Sequence, residues 1–235
     1  MNFIKEHWTL SYIKNFQKEL LTFSKGKEKS DWEQKIVNTK LKCIAVSSFD
    51  VKKISKEISC GNFLEFLDFM PWENHTNTLI NGTLICFIKD FKILKTYLEK
   101  YANLCDNWAS CDVLKFNVSK NKSEFFELSK NFISSNKPFV RRIGILILFK
   151  FIKDENYIKK IFEILNSLNS EKEYYVNMIC AWLVCECFIK EREKTLKFLE
   201  TNNLNKFTIN KAISKCRDSF RVSSKDKTML LKFKR

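Results

Sequence analysis

The first stretch of the chain places Trp8, Tyr12, Phe16, Leu20 and Phe23 at steps of four, four, four and three residues. That is the apolar stripe of an amphipathic helix, predicted here over residues 2–24. The polar run 25–30 interrupts it. The same periodicity predicts helices at 32–37, 51–59 and 63–70, the last stopped by Pro71, since the residue before a proline is pushed out of the helical region. Further helical patterns cover 76–88, 91–105, 108–116 and 124–133. Pro138 suits the first position of the next helix, with Ser135 or Asn136 as its cap. Beyond it, patterns continue through 158–168, 174–189, 196–199, 207–220 and 225–233.

Two of these stretches are apolar almost all round. Residues 139–152 and 174–189 have no polar face to offer solvent, so both are expected to be inner helices flanked by amphipathic outer ones. Inner and outer helices alternate every 35 to 40 residues or so, the period of HEAT-like helix pairs stacked into a solenoid. The expected fold is therefore all-α, a helical-repeat solenoid formed as a single domain over 1–235, with a concave groove. Similarity between the repeats is poor, and a four-helix bundle with an extension is the alternative. No pair of alternating segments joined by a turn signal suggests a hairpin, and four Gly and two Pro are too few for a strand-rich sandwich or a glycine-rich phosphate loop.

Charge narrows the partner. The chain carries 42 Lys+Arg against 27 Asp+Glu, a formal +15. Abundant Lys, Asn, Ile and Phe fit codon bias in an AT-rich genome, which accounts for part of that excess. Its location is more telling: residues 201–235 hold ten Lys/Arg against two Asp, a net +8. A basic stretch of this kind normally meets an anionic polymer, most often nucleic acid. Nine cysteines are present, but none form a Cys-x-x-Cys pair and no His is close to them in sequence, so neither a metal set nor a cofactor is expected. They read as small reduced core residues of a cytosolic protein; a bacterial cytosol and a monomer are the expected setting. The start of the chain lacks the apolar region of a signal peptide, and the longest apolar run, 143–149, is far too short to span a bilayer.

Candidate chemistry starts at Asn107-Trp-Ala-Ser-Cys-Asp112. Trp108 and Asp112 lie four apart and leave one helix face together, a stacking surface beside a fixed negative charge. Such a pair suits a cationic or cation-forming ligand; by itself it equally describes a core-edge Trp and a solvated Asp. Arg141 and Arg142 open an otherwise apolar helix, where an unpaired charge costs several kcal/mol, so at least one should face a wet groove. Trp182 lies midway along the next inner helix. Trp108 to Arg142 is 34 residues and Arg142 to Trp182 is 40, both close to the repeat period. Equivalent helices of three successive repeats would thus present Trp108, Asp112, Arg142 and Trp182 on one concave surface.

In these motifs the chain resembles the HEAT-like DNA alkylation repair proteins, the AlkD-type DNA glycosylases. The resemblance rests on Trp108-Ala-Ser-Cys-Asp112, Phe139-Val-Arg-Arg142, Glu173 to Leu183 with Trp182, and the tail Asn210 to Arg221. It implies hydrolysis of the N-glycosidic bond of N7- or N3-alkylated purines in duplex DNA, such as 7-methylguanine and 3-methyladenine. A cationic purine leaves without being protonated, so no general acid is required, which suits a chain whose only histidines are His7 and His75. The resemblance implies a catalytic cleft of Trp108, Asp112, Arg142 and Trp182. Asp112 would stabilise the oxocarbenium-like sugar and direct a water to C1′. The indoles would pack on the lesion at about 0.5–2 kcal/mol each, and the planar fork of Arg142 would clamp a phosphate. Arg141, Lys211, Lys215, Arg217 and Arg221 are the expected further DNA contacts, holding phosphates without reading sequence. The family keeps the lesion stacked on an open face, unlike glycosylases that extrude it. Two alternatives remain: a non-catalytic relative that binds duplex or branched DNA, and a HEAT-type adaptor for protein or RNA.

Overall fold

A computed structural model describes residues 3–235, and among them the regular structure is helical throughout, with only two isolated β-bridges, Ser24 to Val46 and Lys42 to Asn74. The all-α fold expected from the periodicity is thus observed. The chain divides into two compact units, Met1–Asn117 and Val118–Arg235.

The first unit contains α1 (Leu10–Leu21), α2 (Lys27–Val37), α3 (Ser48–Ile58), α4 (Phe63–Phe69), α5 (His75–Ile85), α6 (Phe91–Leu104) and α7 (Trp108–Asp112). Helix α1 starts later than its stripe suggests. Thr9 caps it by accepting from the Tyr12 amide, so Trp8 lies outside the helix, and the buried face is Ile13, Phe16 and Leu20 while Tyr12 points to solvent. Trp8 is buried nonetheless. It packs edge-on against Phe66 at 4.8 Å, and its backbone N–H donates to Glu65. The expected polar break at 25–30 shrinks to a turn at Gly26, whose φ of +87° is open to glycine at no steric cost.

Helix α5 is the centre of this unit and the main surprise. It packs against α3, α4, α6 and α7, and nearly every residue on it is buried, including His75, Thr76, Asn77, Thr78 and Asn81. Its polar content hid its inner position from an apolar pattern. The cost of burial is offset by hydrogen bonds. Asn74 and Asn77 form a reciprocal capping box, Asn81 donates to the Pro71 carbonyl at 2.7 Å, and Thr78 shares a 2.6 Å hydrogen bond with Ser110 on α7. The buried Tyr101 hydroxyl lies 2.9 Å from the Thr78 carbonyl and 2.7 Å from that of Ser110.

The second unit holds α8 (Lys122–Ile133), α9 (Pro138–Leu148), α10 (Glu155–Ser167), α11 (Tyr174–Lys190), α12 (Arg192–Thr201), α13 (Lys206–Asp218), α14 (Ser224–Met229) and a 3-10 turn, Leu230–Phe233. The two stretches read as inner are inner: α9 is buried from Arg142 to Leu148, and α11 packs against α9, α12 and α13. Pro138 opens α9 as expected, but the residue before the helix is Lys137, and neither Ser135 nor Asn136 caps it. Helix α9 also ends at Leu148, short of Ile152, although Phe151 and Ile152 remain buried. Helices α5, α7, α9, α11 and α13 begin 30 to 36 residues apart, the spacing of a helical-repeat chain.

Gly144 lets α9 approach α8 closely. A Cβ there would lie 2.7 Å from the Ser129 carbonyl oxygen and 2.9 Å from the Ile133 nitrogen, backbone atoms that cannot swing away. Gly144→Ala should gain about 1 kcal/mol of helix propensity and lose about 1–3 kcal/mol to overpacking. The expected net result is a lower thermal midpoint; a stabilised variant would show that α8 yields instead.

Candidate functional site

The short helix α7 is positioned from its N-terminal side. Asn107 caps it by accepting from the Ser110 amide at 2.9 Å, and its Nδ2 donates to Asp106 and to the Ser110 hydroxyl, each also at 2.9 Å. Asp106 in turn accepts from the Lys40 amide at 2.8 Å and the Thr39 hydroxyl at 2.7 Å. Burial alone would raise the Asp106 pKa; the hydrogen bonds from Asn107, Lys40 and Thr39 outweigh it, and the carboxyl stays below its ordinary value. This network ties α7 to the segment after α2. A second tie comes from Trp108, whose indole N–H donates to the Ile36 carbonyl at 3.2 Å.

Ser110 and Cys111 occupy the buried side of α7, with Ser110 against α5. Trp108 and Asp112 are half-buried, four positions apart. The segment therefore holds a ring and a carboxylate at a partly accessible surface, with its backbone fixed by a saturated polar network. Asp106 and Thr39 were not singled out in the sequence, though Asp106-Asn107 before a helical pattern is a legible cap signal. Thr39, 67 residues from its partner, left no such trace.

In the second unit the two adjacent arginines differ sharply. Arg141 spends its fork on Glu171, Nε to Oε2 at 2.8 Å and Nη2 to Oε1 at 3.1 Å, and its Nη1 donates to the Ser135 carbonyl at 2.9 Å. Every guanidinium nitrogen of Arg141 is thus engaged within the protein. Arg142 is only 6% exposed, and its Nη1 donates to the Tyr175 carbonyl at 2.7 Å. Its burial runs against the simple expectation of a groove-facing charge: the cost of enclosing it is offset by a backbone carbonyl of α11.

Trp182 is half-buried and packs edge-on against Phe149 at 4.8 Å. Its indole donates to Glu186 one turn later on α11. Glu186, 7% exposed, is also gripped by both terminal nitrogens of Arg221, Nη1 to Oε2 at 3.1 Å, and lies 3.8 Å from Lys190. Arg221, expected as a phosphate contact, therefore neutralises a carboxylate that orients Trp182. Glu186 was not anticipated, because the apolar residues around it conceal an acid that the fold pairs with an arginine 35 residues away. Among the other expected contacts on α13, Lys211 and Arg217 are exposed and Lys215 is half-buried, with Lys211 lying over the Phe207 ring at 5.7 Å.

One cluster was not visible in the spacing of the cysteines. The fold brings His75 to Cys43 and Glu33, with one ligand atom from each within 4.8 Å of the others. The spacing rules missed it because the three come from α2, α5 and the connection between α2 and α3. The remaining buried cysteines, such as Cys180 and Cys187, are the reduced core residues expected, with their thiol pKa values raised by burial. No helix of the described residues is long and apolar enough to cross a membrane.

The Glu186 carboxyl is pulled two ways. Burial raises its pKa, while Arg221, Lys190 and the Trp182 indole lower it, and the net direction is down. A depressed carboxylate stabilises the fold above its unfolded pKa, and that contribution disappears as the pH falls through the folded value. Glu186→Gln should therefore flatten the loss of stability on acidification, read from urea midpoints between neutral pH and the acidic limb; an unchanged acid limb would show that Glu186 is not a principal titrating group.

No curated protein matches the chain at a significant level. A family model does: the one described as DNA alkylation repair enzyme matches residues 19–216, which includes α7, both arginines of α9, Trp182 and nearly all of α13. With most of its length matched, from the second half of α1 to Cys216, the chain belongs to the DNA alkylation repair enzyme family.

Proposed function

We propose that the protein is a monofunctional DNA glycosylase that hydrolyses the N-glycosidic bond of cationic N7- and N3-alkylated purines in duplex DNA. Membership of the DNA alkylation repair enzyme family supports the repair role. The observation that carries the finer reading is the pairing of Trp108 and Asp112, half-buried on a helix whose backbone is pinned on both sides. A base that already bears positive charge needs no proton to depart. What the reaction demands is negative charge near C1′ as the sugar acquires oxocarbenium character, together with a water held for attack. Asp112 supplies the carboxylate and Trp108 the ring face that favours a cation.

On the second unit, Trp182 is assigned to pack against the lesion and its deoxyribose. Its orientation is supported by Glu186 and Arg221. Arg142 is assigned to a phosphate beside the lesion through its planar guanidinium. Arg141 contributes indirectly, since its pairing with Glu171 and Ser135 organises the start of α9. Lys211, Lys215 and Arg217 on α13 are assigned to the remaining phosphate contacts, a sequence-independent grip that weakens steeply with salt.

Release of 7-methylguanine from methylated duplex DNA tests the assignment. Asp112→Asn should lower the single-turnover rate by about 10²–10³-fold while leaving salt-sensitive duplex binding intact. Equal release by both proteins would remove Asp112 from the chemistry. A wild type that binds duplex but releases no base would replace the enzyme with a DNA-binding protein, and one that binds no duplex at all would favour an adaptor.

The two arginines should separate by readout. Arg141→Ala leaves Glu171 without its partner and should cost roughly 3 kcal/mol of stability, with base release per folded molecule little changed. Arg142→Ala should reduce release per folded molecule the more of the two. The opposite order would move the phosphate contact to Arg141.

A further inference from the structure

The inference concerns the first unit, away from α7. Glu33 on α2 sits among three donors: the His75 Nδ1 at 2.9 Å from Oε1, the Ala45 amide at 2.8 Å from Oε2, and the Cys43 thiol. The segment that brings Cys43 here is held in an unusual path. Asn38 and Ala45, on either side of it, have φ of +55° and +49°, a region that residues other than glycine enter at a cost. It is nevertheless pinned: Gln34 accepts from the Cys43 amide at 3.0 Å and donates to the Thr39 carbonyl, and the His75 amide donates to the Lys42 carbonyl at 2.9 Å.

His75 is 1% exposed and Cys43 is 4% exposed. A sulfur, an imidazole nitrogen and a carboxylate oxygen converge here, all within 4.8 Å of one another, with the His75 Nδ1 turned toward Glu33. Sulfur and nitrogen ligands on a tetrahedral zinc-type ion stand about 3.5 Å apart, as ion-to-ligand lengths of about 2.0–2.3 Å require. The separation here is within roughly an ångström of that closure.

We propose that Glu33, Cys43 and His75 form a binding site for a zinc-type divalent cation. The donor set fits that class of ion: thiolate and imidazole exclude magnesium and calcium, which take oxygen ligands. Charge also closes. A thiolate and a carboxylate neutralise a divalent ion, and the proton displaced from Cys43 leaves to solvent as the metal–sulfur bond forms. Because the thiol must lose its proton to become a ligand, binding is coupled to proton release and strengthens with pH. Cys43 also lines a cleft of about 540 Å³ that Asp31 and Lys42 border. Three protein ligands from α2, α5 and the strained segment between α2 and α3 would fasten that segment to the buried helix.

The test uses the full chain, stripped with chelator and reloaded with Zn²⁺ or Co²⁺. The wild type should retain one equivalent of Zn²⁺ through gel filtration and melt at a higher temperature with it. Co²⁺ should give the near-ultraviolet thiolate charge-transfer band, and Cys43→Ala should abolish that band and weaken Zn²⁺ binding by roughly 100-fold or more, beyond the loss of an outer-shell partner. Glu33→Gln, which preserves the size of the side chain, should also weaken it. A wild type that holds no metal, a cobalt complex lacking the thiolate band, or a band that persists in Cys43→Ala overturns the proposal. Glycosylase activity plays no part in these readouts, so the metal site and the proposed function stand or fall separately.

Discussion

The first unit depends on one constraint: a helix that buries polar side chains needs hydrogen-bond partners for them inside the protein. Helix α5 buries His75, Thr76, Asn77, Thr78 and Asn81 away from bulk solvent, which is costly for unpaired polar groups. Surrounding segments therefore have to bring carbonyls, hydroxyls and carboxylates to defined points. Pro71 serves Asn81, Ser110 serves Thr78, and Glu33 serves His75. Because Ser110 belongs to α7, the helix that carries Trp108 and Asp112 is located by the same requirement.

The second unit meets a related constraint with charge. Its inner helices carry Arg141, Arg142 and Glu186, and each has a partner in the protein: Glu171, the Tyr175 carbonyl and Arg221 respectively. These pairs run between successive helices of the repeat, joining α9 to the turn before α11 and α11 to the turn after α13. They orient more than they stabilise, since desolvation consumes much of the Coulomb gain of a buried pair. For Trp182 the consequence is direct, because the carboxylate that receives its indole N–H is itself fixed by Arg221.

Much of this organisation was legible beforehand. The apolar runs at 139–152 and 174–189 marked α9 and α11 as inner helices, and Pro138 marked the start of α9, since burial on all sides and a missing N–H are local properties of the residues themselves. The family resemblance, too, was carried by side chains that stand in order along the chain. Less visible was α5, which a hydropathy pattern ranks as ordinary because its polar side chains are matched by groups 10 to 42 residues away. Trp8 was assigned to a helix because aromatic spacing does not record where Thr9 will cap.

The sequence by itself determined that the chain is helical, where its buried helices lie and that its C-terminal segment is basic, because helix periodicity and charge are short-range properties. Tertiary structure alone decided which of two adjacent arginines binds Glu171, that Glu186 and Arg221 support Trp182, and that Cys43 meets His75 and Glu33. Those outcomes depend on which helix faces present themselves to each other across 30 or more residues, and on the geometry of a loop that passes twice through the left-handed region. No local spacing rule encodes them.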